Sequence, residues 1–239
     1  MKINLCDNER LDDLQRDNVK IVQSSNLYAF SSDAVLLSDF VKTKKTDNYL
    51  DLCAGTGAVA VLAMLKNKPH MTTLVEIQEN LVSLLYKTKE YNNFENFEIV
   101  CSSVQEFKPL CEFDVISVNP PYFKTEMLSC HDESRAVARQ ERFLPLDELA
   151  SSIARLLKFG GDVFMVHDSS RICDIICEFR KVNLEVKTLR FVHPTKDKKA
   201  SVVLVHAKKG GRSGLITLPA LIMMENGHET EELKKIYNR

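Results

Sequence analysis

Short apolar runs alternate with longer amphipathic stretches through the middle of the chain. Tyr49–Cys53, Thr72–Glu76, Phe97–Cys101, Phe113–Val118 and Val163–Val166 are runs of four to six residues, rich in Val, Ile, Leu and Phe. Such runs suit strands buried on both faces. Between them, 57–66, 78–91, 146–157 and 168–181 carry apolar residues at helical spacing. Pro145 and Asp147 suit a helix start, and Gly160-Gly161 suits a stop before the next strand. Strand–helix alternation predicts an α/β fold on a mostly parallel sheet. Later, 184–192 and 201–207 read as an antiparallel closing pair, and 214–239 adds a short strand and a polar helix. Residues 1–46 read as an N-terminal extension whose amphipathic stretch, Asp33 to Val41, closes over the ligand edge. Residues 47–239 then form the main body of a single globular domain, with no repeat or second domain.

The candidate chemistry sits just past strand ends. Ala54-Gly55-Thr56-Gly57 follows the acid Asp51 and precedes an apolar helix, which is a nucleotide-binding arrangement. A third dinucleotide-type glycine is missing, because Val59-Ala60 stands there, and no P-loop Lys-Ser or Lys-Thr follows. An acid before such a turn suits a ligand with a cationic amine and no phosphate, and S-adenosylmethionine is one. Glu76 ends the next strand, about twenty residues on, with Ile77 beside it; an acid there can accept ribose hydroxyls. Ser102-Ser103 follows the third strand.

Asn119-Pro120-Pro121-Tyr122 follows the fourth strand. An amide oxygen, a proline carbonyl and an aromatic ring held together suit a flat group bearing an NH2. Asn119 accepts one N–H, the Pro120 carbonyl accepts the other, and Tyr122 stacks on the plane. Proline fixes φ, so the acceptors need little reorganisation. Phe123 extends the stacking surface or packs in the core. From Phe123 to Phe143 runs a long polar stretch with no glycine, a candidate substrate-ordered lid in which Arg135 and Arg139 would share a helical face.

Together, Asp51–Gly57 and Asn119–Tyr122 resemble motifs I and IV of class I methyltransferases that modify exocyclic amines. The likeness extends to one bacterial family, the tRNA1(Val) adenosine-37 N6-methyltransferases. It is carried by Phe30-Ser31-Ser32-Asp33-Ala34 before motif I, Ala138-Arg139-Gln140-Glu141 after motif IV, and Phe191-Val192-His193-Pro194 and Lys208-Lys209-Gly210-Gly211 toward the C-terminus. This resemblance implies a Rossmann-like, mostly parallel seven-stranded sheet with an antiparallel C-terminal strand and helices on both faces. It implies S-adenosylmethionine bound by Ser32, Asp33, Asp51, Ala54, Gly55, Gly57, Glu76, Ile77, Ser103 and Asn119. It also implies catalysis by Asn119, Pro120 and Tyr122 on an adenosine amine of tRNA. The sequence departs from the pattern where Ser102-Ser103 replaces the acid that contacts the donor's adenine amine in such enzymes; Ser103 is the expected counterpart. Gln140 also replaces a commoner His.

Charge sharpens the choice of partner. Net charge is only −1, yet 186–212 holds eight basic residues against the single acid Asp197, so that span carries +7 and the rest −8. Lys196, Lys198, Lys199, Lys208, Lys209 and Arg212 flank the apolar run 202–205 and are expected at adjacent tips of a hairpin, suited to RNA phosphates. Seven cysteines, odd in number and without a Cys-x-x-Cys, indicate neither a disulfide framework nor a zinc site, and no metal is expected. No signal peptide or spanning segment is visible, so a cytoplasmic monomer without an obligate protein partner is expected. Guanine N2, DNA adenine and a release-factor glutamine amide fit the same amine chemistry, and a non-catalytic RNA scaffold is the remaining alternative.

Overall fold

In the computed structural model, which describes residues 3–27, 30–121 and 144–238, the central alternation folds as a twisted sheet. Five parallel strands form its heart: β3 (Asn48–Leu52), β4 (Met71–Glu76), β5 (Phe97–Cys101), β6 (Phe113–Val118) and β7 (Leu157–Asp168). They are completed by β8 (Leu184–Thr195) and β9 (Val202–Lys209). The order across the sheet is β5-β4-β3-β6-β7-β9-β8, and β9 runs antiparallel to both neighbours. Strand order therefore reverses between β3 and β6, which opens a crevice at their carboxyl ends. Two short strands, β10 (Ile216–Thr217) and β11 (Leu221–Glu225), extend the sheet along β8, and β12 (His228–Glu229) edges β11.

Alternation along each strand makes two cores. Tyr49, Leu74, Val115 and Phe164 face one side, under α1 (Ser32–Phe40) and α2 (Ala58–Asn67). Leu50, Leu52, Ile116 and Val118 face the other, under α4 (Leu146–Leu156) and α5 (Ile172–Lys181). Period-two geometry sends neighbours such as Tyr49 and Leu50 to opposite layers, which is why the runs are apolar throughout. The first layer also takes part of α3 (Glu79–Asn92), through Leu85.

Three departures from the sequence expectation have physical causes. Gly160-Gly161 does not stop the helix; α4 ends at Leu156 and the glycines lie inside β7, where pairing with β6 shifts register. A Cβ on Gly161 would sit 2.9 Å from the Asp114 carbonyl oxygen, so only glycine fits the irregularity. The N-terminal extension also contains a hairpin, β1 (Glu9–Asp13) with β2 (Lys20–Ser24). It is fastened to α3 by the Val22 N–H donating to Thr88 Oγ1 at 2.9 Å and by Lys87 Nζ on Glu9 at 2.6 Å. Its turn residues Gln15, Asp17 and Asn18 are left-handed, a short-range signal that the apolar pattern does not carry. Finally, the C-terminal segment folds as three short strands and α6 (Glu231–Ile236), with Leu233 buried and Arg190 paired to Glu232 at 2.5 Å.

Candidate functional site

The carboxyl ends of β3, β4, β5 and β6 line a cleft that is open to solvent. Its floor is the turn after β3. Gly55 and Gly57 adopt φ of +57° and +81°, and a Cβ on Gly57 would sit 2.6 Å from Leu85. Cys53, which opens the turn, is left-handed as well, with φ +57°, a conformation that costs a non-glycine residue roughly 1 kcal/mol. Burial and the acids Glu76 and Asp51 push the Cys53 thiol far up in pKa.

Glu76 organises the turn from β4. One carboxylate oxygen accepts the Gly55 N–H at 2.8 Å, and the other accepts Ile77 N–H at 3.0 Å and Gln78 N–H at 2.9 Å. Burial raises its pKa, and the three amides and the Gln78 side chain oppose that rise. A carboxylate offers about four acceptor positions; three take backbone amides, and a ligand would take the fourth in place of the Gln78 side chain. Ile77 lies beside it, lining the cleft and 55% exposed.

Asp51 is placed differently from its expected role. It is 1% exposed and lies beneath the turn rather than on the cleft wall. Ser117 on β6, its register partner across the sheet, donates its hydroxyl to Asp51 Oδ1, and Tyr49 OH lies 2.6 Å from the same Ser117 hydroxyl. Asp51 Oδ2 has no hydrogen-bond partner. Burial drives its pKa up to about 7, while Ser117 and, at longer range, the Ala60 amide of α2 hold it down. This buried chain ties the strand that leads to the glycine turn to the strand that leads to Asn119.

Asn119 and Pro121 line the cleft from the end of β6. Pro120 is buried between them. Ala54 lines the cleft with Cys53, and Ser103 does so from the end of β5. From the extension, Phe30, Ser31 and Ala34 line it, whereas Ser32 and Asp33 are not among the lining residues. Ser31 Oγ is buried without a partner, a polar atom left for a ligand. Tyr122, Phe123, Arg135 and Arg139 lie outside the described residues. So does Gln140.

The two lysine groups separate. Lys196, Lys198 and Lys199 are exposed in the turn between β8 and β9. That turn stands on the cleft edge, because the last residue of β7, Asp168, pairs with Val202 and Ser169 Oγ donates to the Ala200 carbonyl at 2.7 Å. Lys208, Lys209 and Arg212 lie at the opposite end of β9. Lys208 donates to Asp162 at 2.9 Å and to the Gly160 carbonyl at 2.7 Å; Lys209 donates to the Leu157 carbonyl at 2.6 Å. A strand's two ends emerge on opposite sheet edges, here about 25 Å apart, so the charges do not share a tip.

Among the described residues no group of acidic, His or Cys side chains is arranged to hold a metal, and no helix is long and apolar enough to cross a membrane. A family model for the methyltransferase small domain matches residues 29–192, which include the cleft and the strands that carry it. The chain belongs to the methyltransferase small domain family. Its relatives include a protein of Dyadobacter fermentans, named tRNA1(Val) (adenine(37)-N6)-methyltransferase, 31% identical over 147 residues, or 60% of this chain and 61% of that protein. A protein of the same name from Shewanella woodyi is 30% identical over 166 residues, 66% of this chain and 68% of that one. The chain thus spans about three-fifths of the Dyadobacter relative's length.

Solved structures confirm the methyltransferase fold. A predicted O-methyltransferase of Agrobacterium tumefaciens superposes with a TM-score of 0.70 at 20% identity, covering 86% of this chain and 95% of that one. The tRNA m1G37 methyltransferase of M. jannaschii gives 0.60 at 15% identity, covering 86% and 58%. Sequence reasoning missed Phe30, Ser31, Gln105 and Leu144 as cleft residues of this methyltransferase domain. Helical spacing from Ser31 to Ala34, both lining residues, is the signal that could have found Ser31.

Proposed function

We propose that the chain is an S-adenosylmethionine-dependent methyltransferase acting on the N6 amine of an adenosine in tRNA, with adenosine 37 of a valine tRNA the nucleotide suggested by the relatives' names. The observation that carries the reading is the joining, in one cleft, of a glycine turn braced by an acid and an Asn-Pro-Pro strand end. The residues fit the donor. Glu76 offers its fourth acceptor position to a ribose hydroxyl in exchange for the Gln78 side chain, Ile77 offers an apolar face to a ring, Ser31 Oγ waits without a partner, and Gly55 and Gly57 let the backbone approach closely. A second ribose hydroxyl would displace one of the amides on Glu76. Asp51 acts from below, fixing the turn and adding negative potential beneath it.

S-adenosylmethionine supplies an electrophilic methyl carbon on a sulfonium. Asn119 Oδ1 and the Pro120 carbonyl accept the two N–H bonds of the acceptor amine. They thereby favour positive charge on a nitrogen whose lone pair is delocalised into its ring, and they aim that lone pair along the transfer direction. No strong base is needed, since the methylated ammonium is acidic and loses its proton to solvent. Tyr122 stacks on the extruded base, worth about 1–3 kcal/mol. An anticodon-loop purine is already largely unpaired, so extrusion is inexpensive. Lys196, Lys198 and Lys199 stand on the same edge and meet the RNA backbone, with Arg135 and Arg139 of the stretch after motif IV as further contacts. Residues 1–46 cover the donor, and 47–239 form the catalytic body.

Calorimetric titration with S-adenosylmethionine, followed by tritium transfer to bulk tRNA, DNA and release factor, tests the proposal. Binding and transfer to tRNA alone are expected. Transfer to DNA or protein alone would replace the substrate, and absence of binding would leave only a scaffold.

A further inference from the structure

Ser103 is the one predicted donor contact whose chemistry does not match its place, since a neutral hydroxyl stands where an acid is expected. Its surroundings supply the missing charge. Ser103 Oγ donates to Glu106 Oε2 at 3.0 Å and accepts the Glu106 backbone N–H at 3.2 Å. A hydroxyl has one proton and two lone pairs, so a single lone pair remains. Ser103 lines the cleft and Glu106 does not. The turn that carries both is held rigidly. Arg155 of α4 donates to the carbonyls of Val104 and Gln105 at 3.2 Å and of Phe107 at 2.7 Å, and Val104 and Phe107 are buried. Gln105 is fastened to Glu148 at 2.9 Å.

We propose that the Ser103–Glu106 couple reads the exocyclic amine of the donor's adenine, dividing between two side chains the task of one acid. It rests on the reading of the cleft as an S-adenosylmethionine site. With its proton committed to Glu106, the Ser103 hydroxyl can only accept from the cleft. The carboxylate polarises that hydroxyl and makes it a better acceptor. An adenine amine, which donates, is therefore matched, whereas a 6-oxo purine, which accepts, meets a lone pair. Glu106 is the positioning residue and Ser103 the binding residue.

The ratio of dissociation constants for S-adenosylhomocysteine and its 6-oxo counterpart, S-inosylhomocysteine, tests the couple by calorimetry without any turnover. The native protein should prefer the amine by about tenfold, the discrimination expected of one oriented hydrogen bond. Ser103→Ala should bring the ratio to about twofold or less. Glu106→Ala frees the hydroxyl to rotate and donate, and should do the same. The double variant Ser103→Asp with Glu106→Ala restores a single acid and should recover the preference. Equal losses of affinity for both ligands, with the ratio kept in the two single variants, would overturn the proposal and leave the couple a turn-capping device. Loss of the ratio in Gln105→Ala, with Ser103→Ala unchanged, would overturn it in favour of Gln105. Failure of the native protein to bind S-adenosylhomocysteine at all would instead sink the donor reading of the cleft.

Discussion

Replacing Asp51 with Asn should remove a pH-dependent cost of folding, so the stability of the variant relative to the native chain should rise as the solution is made alkaline. Asp51 is buried with its pKa pushed up from 3.8 to about 7, chiefly by loss of solvent. Between those values the folded chain holds a proton that the unfolded chain has released. Stability linked to this group is therefore full below about pH 4 and is lost as the pH rises through about 7. At about 1.4 kcal/mol per tenfold change in proton affinity, the fully ionised group disfavours folding by roughly 4 kcal/mol at high pH. About 2–3 kcal/mol of that change falls between pH 5 and pH 8. Asparagine keeps the shape and still accepts the Ser117 hydroxyl, but it carries no charge; its NH2 replaces the unpartnered Oδ2, a pH-independent cost that cancels when the two pH values are compared. Urea unfolding of the two proteins at both pH values measures the difference directly. The Asp51→Asn variant should gain roughly 2–3 kcal/mol on the native protein between pH 5 and pH 8. A constant difference, or one of opposite sign, would refute the view that the acid is kept buried at a stability cost.

The remaining tests address the chemistry and the surface. Asn119→Ala should lower turnover by about a hundredfold, near 3 kcal/mol, with donor Kd nearly unchanged; near-native turnover would remove Asn119 from the transfer. Reversing Lys198 and Lys199 to Glu should weaken tRNA binding and flatten its salt dependence by one to two units of log–log slope, about one per phosphate contact. The same change at Lys208 and Lys209 should instead lower thermal stability, because those side chains hold Asp162 and the Leu157 carbonyl. Iodoacetamide at pH 8 should label the exposed Cys6, Cys101, Cys111, Cys173 and Cys177 well before Cys53, a half-buried cleft residue whose thiol is held protonated by desolvation and by the Glu76 and Asp51 charges; labelling of Cys53 as fast as the others would contradict that raised pKa.

Much of the fold is written in periodicity. The five parallel strands and their helices follow from apolar runs of strand length separated by helical spacing, and the antiparallel closing pair of β8 and β9 forms with Val192 opposite Val202. Gly160-Gly161 misled because glycine marks a helix stop and a strand irregularity alike, and only the neighbouring Asp114 carbonyl distinguishes them. The β1–β2 hairpin was illegible since its stability comes from contacts with α3, more than sixty residues away in the chain. At the site, the residue types at strand ends gave the cleft, but not depth. Asp51 and Glu76 look equivalent in sequence; one lies under the turn while the other braces it from the rim. Likewise a run of charge reports composition, whereas the length of β9 decides that its two ends face opposite edges.

The central claim is that one cleft brings a methyl donor and a planar RNA amine together at Asn119. Mass spectrometry of nucleosides from unmodified tRNA, treated with the protein and deuteromethyl-labelled S-adenosylmethionine, tests it most directly. Labelled N6-methyladenosine is predicted with the native protein and is reduced about a hundredfold with Asn119→Ala. Label on another nucleoside, or label on N6-methyladenosine that is undiminished by the substitution, would contradict the account.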